Sequence, residues 1–265
     1  MDFSAIDWQR PWLAHLNELG RQLSQSADWV HTANQMARER ELKNSANLPI
    51  MFVPQDVLPE ATAYEAHIDA TAQVPTRDNL HDFFNALIWL QFPKIKRTLN
   101  QLQAQEIRRS PESMLRGRQR DAATLFDENV ALFVSRDTST LNLLKGHQWK
   151  ALLFDEAIHF HRNGKVILFG HALIEKLVHP YKSITAHVWC VPAAKEIIDL
   201  PRTQFLPWLD ESVAAAIISG FSSKAFCHLP VLGVPGWWEG QDELFYADEA
   251  VFRPSRSVKS NTENA

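Results

Sequence analysis

Residues 79–94 read NLHDFFNALIWLQFPK, a stretch that begins with polar residues and continues as an almost unbroken apolar run. The apolar side chains fall on nearly every face of a helix, which predicts a buried helix over about residues 80–91. Pro93 cannot lie inside a helix without removing a hydrogen bond, but it suits a first turn. A second helix is therefore predicted over about residues 93–107.

Sequence patterns elsewhere in the chain indicate more helices than strands. A long helical pattern is predicted over residues 8–42, because Trp12 and several leucines recur at spacings of three or four. Strands are predicted at IMFV, GKVILF and SITAHVWCV. We expect an α+β fold: a predominantly helical single domain over residues 1–254 with a small mixed or antiparallel sheet. Residues 255–265 are polar and are predicted to form a disordered tail.

Composition excludes several classes of protein. The 265 residues carry a formal net charge of −4 with 22% charged residues, which is ordinary for a globular protein. The amino terminus does not resemble a secretory signal, and no segment has the roughly 18–20 apolar residues that span a bilayer. Cys190 and Cys227 form neither a disulfide framework nor a zinc-binding spacing. These observations predict a cytoplasmic protein with no membrane partner.

The familiar catalytic signatures are absent from the sequence. It contains no GxGxxG, GxxxxGK[ST], HExxH, GxSxG or CxxC motif. Common nucleotide-binding folds, zinc proteases and α/β-hydrolases are therefore not expected. No serine or cysteine lies in a recognisable nucleophile context, so the sequence offers no support for covalent catalysis.

The start of the buried helix is the first candidate site. Asn79 is predicted to cap the helix, with Asp82 completing a variant of the capping box. His81 and Asn85 then share one face of the helix, with Trp89 one turn further on. A histidine in a first turn is held neutral by the helix dipole and can act as a general base. Capping explains Asn79 and Asp82, but it does not require His81.

The segment RDAATLFDENVALFVS, residues 120–135, is the second candidate. We expect a β-hairpin here, with two β-rich runs around an acidic turn. Arg120 and Asp121 would precede the first strand and Asp127 would follow it, at strand ends that can present functional groups. The composition of the acidic segment is equally typical of an ordinary turn.

The third candidate is FGHALIEKL, where a Gly-His step joins a predicted strand to a helix. His171 would begin that helix and Glu175 would lie one turn later on the same face, where a carboxylate can orient an imidazole. A structural histidine is the alternative. His159 and His161 form an HxH pair that would share one face of an extended segment, but without a third ligand this pair does not predict a metal site.

These candidates predict an enzyme or a small-molecule binder with an acid–base pocket that acts on an anionic substrate. In this hypothesis His81 is the general base, His171 with Glu175 is a second acid or base, and Arg120 holds the anionic group. The predicted catalytic residues are His81, Arg120, Asp121, His171 and Glu175. The predicted ligand-binding residues are Asn79, Asp82, Asn85, Trp89 and Asp127. No cofactor or metal is indicated, and the oligomeric state is left open.

Two other classes of function remain open. Residues 93–120 hold eight Lys or Arg against two Glu, and Lys94, Lys96 and Arg97 are predicted to face outward from the second helix. RNA or another polyanion could bind such a surface, and its affinity would fall steeply with salt. The alternative for this segment is a solvated basic face. The aromatic segment near the carboxyl end could instead contact a protein partner.

Four stretches together resemble one family of bacterial proteins. They are HDFFNALIWLQFPKIKRTLN, RDAATLFDE, FGHALIEKL and one later stretch that contains both PGWW and FYADEAVFRP. The family is domain of unknown function 3025, and the resemblance extends from about Trp8 to Pro254. It implies a cytoplasmic protein of Gram-negative bacteria. It implies no activity, cofactor or catalytic residue.

Overall fold

A computed structural model describes residues 1–109, 118–220 and 225–255 of the chain, leaving out the Arg118 side chain. The α-helices in these ranges are α1 (Asn17–Ser24), α2 (Trp29–Glu39), α3 (Tyr64–Thr71), α4 (Leu80–Gln91), α5 (Pro93–Arg109), α6 (Arg118–Asn129), α7 (Thr138–Lys145), α8 (Ala157–Asn163), α9 (His171–Lys176), α10 (Lys195–Ile198), α11 (Arg202–Ser219) and α12 (Glu243–Tyr246). The strands are β1 (Met51–Pro54), β2 (Gln73–Thr76), β3 (Val130–Ser135), β4 (Gly164–Leu168), β5 (Thr185–Pro192) and β6 (Cys227–Pro230). The predicted disordered tail lies, apart from Ser255, outside the described residues.

The strands form two small sheets. The larger has the order β4-β3-β5-β6, in which β3 runs parallel to β5 and antiparallel to β4. Every residue of β3 is buried, and Leu132 is paired with Ile167 on one side and Trp189 on the other. The smaller sheet pairs β1 with β2 in parallel. The predicted α+β class, with helices dominating and a small mixed sheet, is confirmed.

Helix α4 lies in the centre of the hydrophobic core, as predicted. Phe83, Phe84 and Leu87 are fully buried, and the Phe83 ring lies 4.5 Å from that of Phe3 and 5.4 Å from that of Trp29. Burial of each such side chain contributes about 1.5–3 kcal/mol. The apolar run therefore fixes the position of the polar residues at its start.

A carboxylate from α11 caps the beginning of α5. The Asp210 Oδ2 atom accepts a hydrogen bond from the Lys94 N–H at 3.0 Å, and its Oδ1 atom accepts one from the Ile95 N–H at 2.9 Å. These N–H groups have no partner within their own helix. Burial raises the pKa of Asp210 to about 6, although the two hydrogen bonds oppose that shift. The contact therefore holds α11 against the start of α5.

The predicted hairpin is wrong, because residues 118–129 form helix α6. Ala122, Ala123 and Phe126 are all fully buried on one helical face, and this helical packing overrides the β propensity of the Thr-Leu-Phe run. Strand β3 follows α6 directly. Asp121 therefore lies in the first turn of a helix, and Asp127 lies near its end.

Two other segments differ from the prediction. The pattern over residues 8–42 is divided into a 3₁₀ turn at Pro11–Leu13, α1 and α2. The His159-x-His161 pair lies on helix α8, where residues two apart do not share a face. Helix α11 begins at Arg202 and contains Pro207 in its interior. Among the described helices, none is both long and apolar enough to cross a lipid bilayer.

Candidate active site

Two histidines from the starts of α4 and α9 form the centre of the candidate site. The Nε2 atoms of His81 and His171 lie 3.1 Å apart, with the rings at 74° to one another. The His81 Nδ1 atom lies 2.9 Å from Glu175 Oε2. The His171 Nδ1 atom lies 2.8 Å from the backbone oxygen of Asp127, at the end of α6. The four residues thus form a continuous hydrogen-bonded chain.

Gly170 allows α9 to begin against the end of α6. A Cβ atom at this position would lie 2.5 Å from both the Asn129 nitrogen and the Glu128 oxygen, closer than real Cβ contacts. The Gly170 N–H also donates to the Val130 oxygen at 2.8 Å. The Gly-His step therefore places His171 beside the Asp127 carbonyl.

The hydrogen-bond partners fix the protons on the two imidazoles. A carbonyl oxygen only accepts, so His171 carries its proton on Nδ1 and presents a bare Nε2 to His81. His81 must then donate from its own Nε2. Its Nδ1 faces a carboxylate, so this contact is a hydrogen bond only when a further proton resides on His81 or on Glu175. Hydrogen bonds at both His81 nitrogens therefore require one proton more than a neutral imidazole beside a carboxylate would supply.

His171 is the neutral member of the histidine pair. Burial lowers the pKa of His171 to about 4. The Asp127 carboxylate opposes this shift, and the positive charges of Lys96 and His81 add to it. The neutral ring accepts the proton that His81 donates, and its burial fixes the position of that acceptor.

A buried ion pair lies behind the histidines. The Lys96 ammonium lies 2.6 Å and 2.8 Å from the two carboxylate oxygens of Asp127 and 2.8 Å from Asn85 Oδ1. Asn85 in turn donates to the Tyr64 hydroxyl at 3.1 Å. Burial alone would raise the pKa of Asp127, but the Lys96 ammonium holds it below its usual range. The prediction that Lys96 faces solvent is wrong.

A cavity of about 280 Å³ borders the histidine pair. The side chains of His81 and Glu175 are 35% and 37% exposed, so solvent reaches this pair. The ionisable residues that line the cavity are Tyr64, Glu65, Arg77, His81, Asp82, Asp127, Glu128 and His171. Arg77 is the permanent cation among them, and its Nε already lies 2.9 Å from Asp82 Oδ2. Carboxylates therefore dominate the charge of the cavity wall.

Tyr64 and Glu65, like Arg77 and Glu128, line the cavity without being among the site residues predicted from the sequence. Burial raises the pKa of Tyr64 well above its usual range, and the nearby charges of Glu65 and Asp82 raise it further. Burial also raises the pKa of Glu65, although the Lys96 ammonium opposes this. The Glu65 Oε2 atom accepts a hydrogen bond from Asn100 Nδ2 at 2.6 Å. Glu65 is thus a second group on this wall that can hold a proton.

The remaining predicted site residues lie at or beyond the edge of this arrangement. Asn79 caps α4, because its Oδ1 atom accepts from the Asp82 N–H at 2.8 Å. Trp89 is buried behind the cavity, with its ring 5.3 Å from the Lys96 ammonium. Arg120 is half-buried and Asp121 is exposed on α6, and neither lines the cavity. The structure thus gathers His81, His171 and Glu175 with Asp127, Asn85 and Asp82, but not with Arg120 or Asp121.

The predicted polyanion surface is largely neutralised in its described part. Its ion pairs there are Lys94–Glu211, Lys96–Asp127, Arg108–Asp69 and Arg109–Glu106. Arg97 is exposed, whereas Arg116 and the side chain of Arg118 lie outside the described residues. Within its described residues, no feature of this segment favours nucleic acid over an ordinary charged face.

The side chains that could ligate a metal ion are dispersed over the described structure. Across residues 1–109, 118–220 and 225–255, no three His, Cys, Asp or Glu side chains are arranged so that they could hold a metal ion. Cys190 and Cys227 are free thiols on the neighbouring strands β5 and β6.

The chain belongs to the family described as "Protein of unknown function (DUF3025)", whose model matches residues 50–256. The match covers well over half of the chain and includes all four stretches that carry the resemblance. The expected family is thus confirmed. Comparisons with curated proteins and with solved structures found no match.

Proposed function

We propose that this protein is an enzyme that catalyses proton transfer to or from a small polar substrate bound beside His81. The observation that carries the proposal is the hydrogen-bonded chain from Glu175 through His81 to His171, at the wall of a solvent-reachable cavity. A carboxylate and a neutral acceptor on opposite sides of one imidazole hold its orientation and its protons. General acid–base catalysis requires this kind of control.

The three residues have different roles in this proposal. His81 exchanges the proton with the substrate at Nδ1, where a substrate group would take the place of the partly exposed Glu175, because its Nε2 atom is engaged by the buried His171. Glu175 stabilises the positive charge that His81 carries when both of its nitrogens are protonated. His171 is a positioning residue, since its burial and its bond to the Asp127 carbonyl keep its Nε2 atom as an acceptor.

The charge of the cavity favours a neutral or cationic substrate over the anionic one expected from the sequence. Four carboxyl groups line the cavity, those of Glu65, Asp82, Asp127 and Glu128, against the two cations Arg77 and Lys96, which pair with Asp82 and Asp127. Arg120, the expected anion-binding residue, does not line the cavity. A volume of about 280 Å³ lies near the lower end of the range for small-molecule sites.

Glu65 is the second proton-carrying group of the proposed mechanism. Its raised pKa keeps more of it protonated near neutral pH than an ordinary glutamate would be. One group would then donate a proton to the substrate while the other accepts one. Tyr64, hydrogen-bonded to Asn85, would orient a polar substrate group between them.

Substrate profiling can test the proposal even though the substrate is unidentified. The protein is incubated with a mixture of small polar metabolites, and mass spectrometry records which compounds are depleted or formed. Conversion should fall at least about a hundredfold in H81N, because acid–base catalysis typically contributes about 10²–10⁴-fold. H31N removes an exposed histidine that does not line the cavity and should convert the same compound at the wild-type rate. Equal conversion by H81N and the wild type would overturn the proposal.

A further inference from the structure

A second cavity lies at the edge of the larger sheet where β4 is the terminal strand. It has a volume of about 410 Å³ and lies between the 3₁₀ turn at Pro11–Leu13, α8, β4 and the first turns of α11. None of the residues of the histidine site lines it. It therefore has to be explained separately from the proposed proton transfer.

Lys165 of β4 contributes a half-buried ammonium to this cavity. The Lys165 Nζ atom lies 4.4 Å from the centre of the Phe205 ring. Among the residues that the structure describes, no carboxylate forms an ion pair with it, and it makes no hydrogen bond. Burial lowers the pKa of Lys165. The Asp199 carboxylate opposes this shift, and the positive charge of Arg202 adds to it. A cation in this setting lacks the anionic partner that usually accompanies burial.

Arg202 provides a second positive charge at the same cavity. Its Nη1 atom donates to the Ala14 backbone oxygen at 2.6 Å, which fixes the side chain at the cavity rim. Within the described part of the chain, Arg202 has no carboxylate partner either. It is also the first residue of the 18-residue helix α11, where the helix dipole adds positive potential. Two cations without a carboxylate partner in the described structure thus line one cavity, whose remaining wall is mostly apolar apart from His15 and His161.

Aromatic side chains form the apolar part of the wall, and their neighbours hold them in place. Phe160 is stacked on Phe133 at 5.2 Å between ring centres, with an interplanar angle of 10°. Trp237 packs against Trp12 at 6.2 Å. Phe205 is itself buried beneath the Lys165 ammonium. Flat apolar surfaces held in this way suit a planar ligand body.

We propose that this cavity binds a small aromatic carboxylate. The carboxylate group would lie between Lys165 and Arg202, and the aromatic body would pack against Phe160 and Trp237. An anion in this position neutralises both cations and relieves their mutual repulsion. The guanidinium supplies a planar pair of donors, and the ammonium supplies a point charge. The site is independent of the proposed enzymatic activity, so either proposal can fail alone.

The proposal is tested with 3-phenylpropionate as the probe, by isothermal titration calorimetry on the full chain. The wild type should bind it with a dissociation constant in the millimolar range or below. K165M and R202Q should each weaken binding about tenfold, because each removes a charge-assisted contact. The uncharged amide of the same acid should also bind about tenfold more weakly. K43Q removes an exposed lysine elsewhere and should bind the probe as the wild type does.

Several outcomes would overturn the proposal. One is the absence of binding to the wild type. Another is equal affinity for the acid and its amide, since the two cations would then not recognise the ligand. Equal weakening in K43Q and K165M would indicate general charge attraction and would also exclude the site. Circular dichroism of each variant confirms that a loss of binding does not reflect unfolding.

Discussion

Lys96 places its ammonium between the two carboxylate oxygens of Asp127, and the two side chains are only 5% and 10% exposed. We expect K96M to lower the free energy of unfolding by about 3–5 kcal/mol, because it leaves a buried carboxylate without its counter-ion. The matched control is K94M, whose exposed ion pair with Glu211 should contribute no more than about 1 kcal/mol.

Urea denaturation of both variants measures this difference. The double variant K96M/D127L should recover part of the stability lost in K96M, since it removes both buried charges together. Similar losses of stability in K96M and K94M would show that the buried Lys96–Asp127 pair contributes no more to stability than an exposed ion pair does.

The arrangement of protons on the two histidine rings leads to a spectroscopic prediction. The ¹⁵N chemical shifts of the imidazole nitrogens should show a proton on Nδ1 of His171, a proton on Nε2 of His81 and a proton shared between His81 Nδ1 and Glu175. E175Q should leave His81 Nδ1 bare, because the Gln amide can donate to it. The signals of the exposed His31 should not change. Identical His81 signals in E175Q and the wild type would contradict this proton arrangement.

Gly170→Ala should disturb the contact between α9 and α6. The added Cβ atom would lie 2.5 Å from backbone atoms of Glu128 and Asn129, which cannot rotate away as a side chain can. We expect a loss of about 1–3 kcal/mol in thermal or urea unfolding, the usual cost of overpacking. Gly146→Ala is the control, because its nearest contacts lie at 3.2–3.3 Å and include the flexible Gln148 amide. Equal stability of the two variants would contradict the close approach.

His15 makes the stability of the protein depend on pH. Burial lowers the pKa of His15 to about 4, and its Nε2 atom donates to the Leu168 oxygen. The unfolded chain binds a proton near about pH 6.5 and the folded chain does not. Stability is therefore lost as the pH falls from about 6.5 to 4, by at most about 1.4 kcal/mol per pH unit from this residue. H15Q keeps a donor for Leu168 and should show a correspondingly shallower slope.

Unfolding free energies of H15Q and the wild type, measured at intervals between about pH 4 and pH 7, test this prediction. The difference between the two proteins should change across the window and should be constant above it. Parallel curves throughout would mean that His15 is protonated equally in both states of the chain.

Local rules predict the helices that frame the histidine site. Pro93 separates α4 from α5, and Asn79 caps α4 through the N–H of Asp82. His81 and His171 are recognisable as candidates because each is a polar residue at the point where a buried element begins. These features depend on neighbouring residues only, so the sequence is sufficient to predict them.

Long-range contacts are not predictable in this way. His81 and Glu175 are 94 positions apart, and the packing of α9 against α4 alone brings them together. Lys96 was predicted to face solvent, because a lysine beside other cations normally does. Its neutralising partner, Asp127, was assigned to a hairpin turn that is in fact the end of α6. One error in secondary structure therefore concealed the buried ion pair.

The capping of α5 by Asp210 has a consequence for the order in which the chain folds during synthesis. The carboxylate and the N–H groups of Lys94 and Ile95 are more than a hundred residues apart. A nascent chain that ends before residue 210 has α5 without its cap, so that end of the helix frays in water. The start of α5 therefore acquires its cap only after this part of α11 has left the ribosome. A fragment that ends near residue 200 should be captured by chaperones far more than one that includes α11.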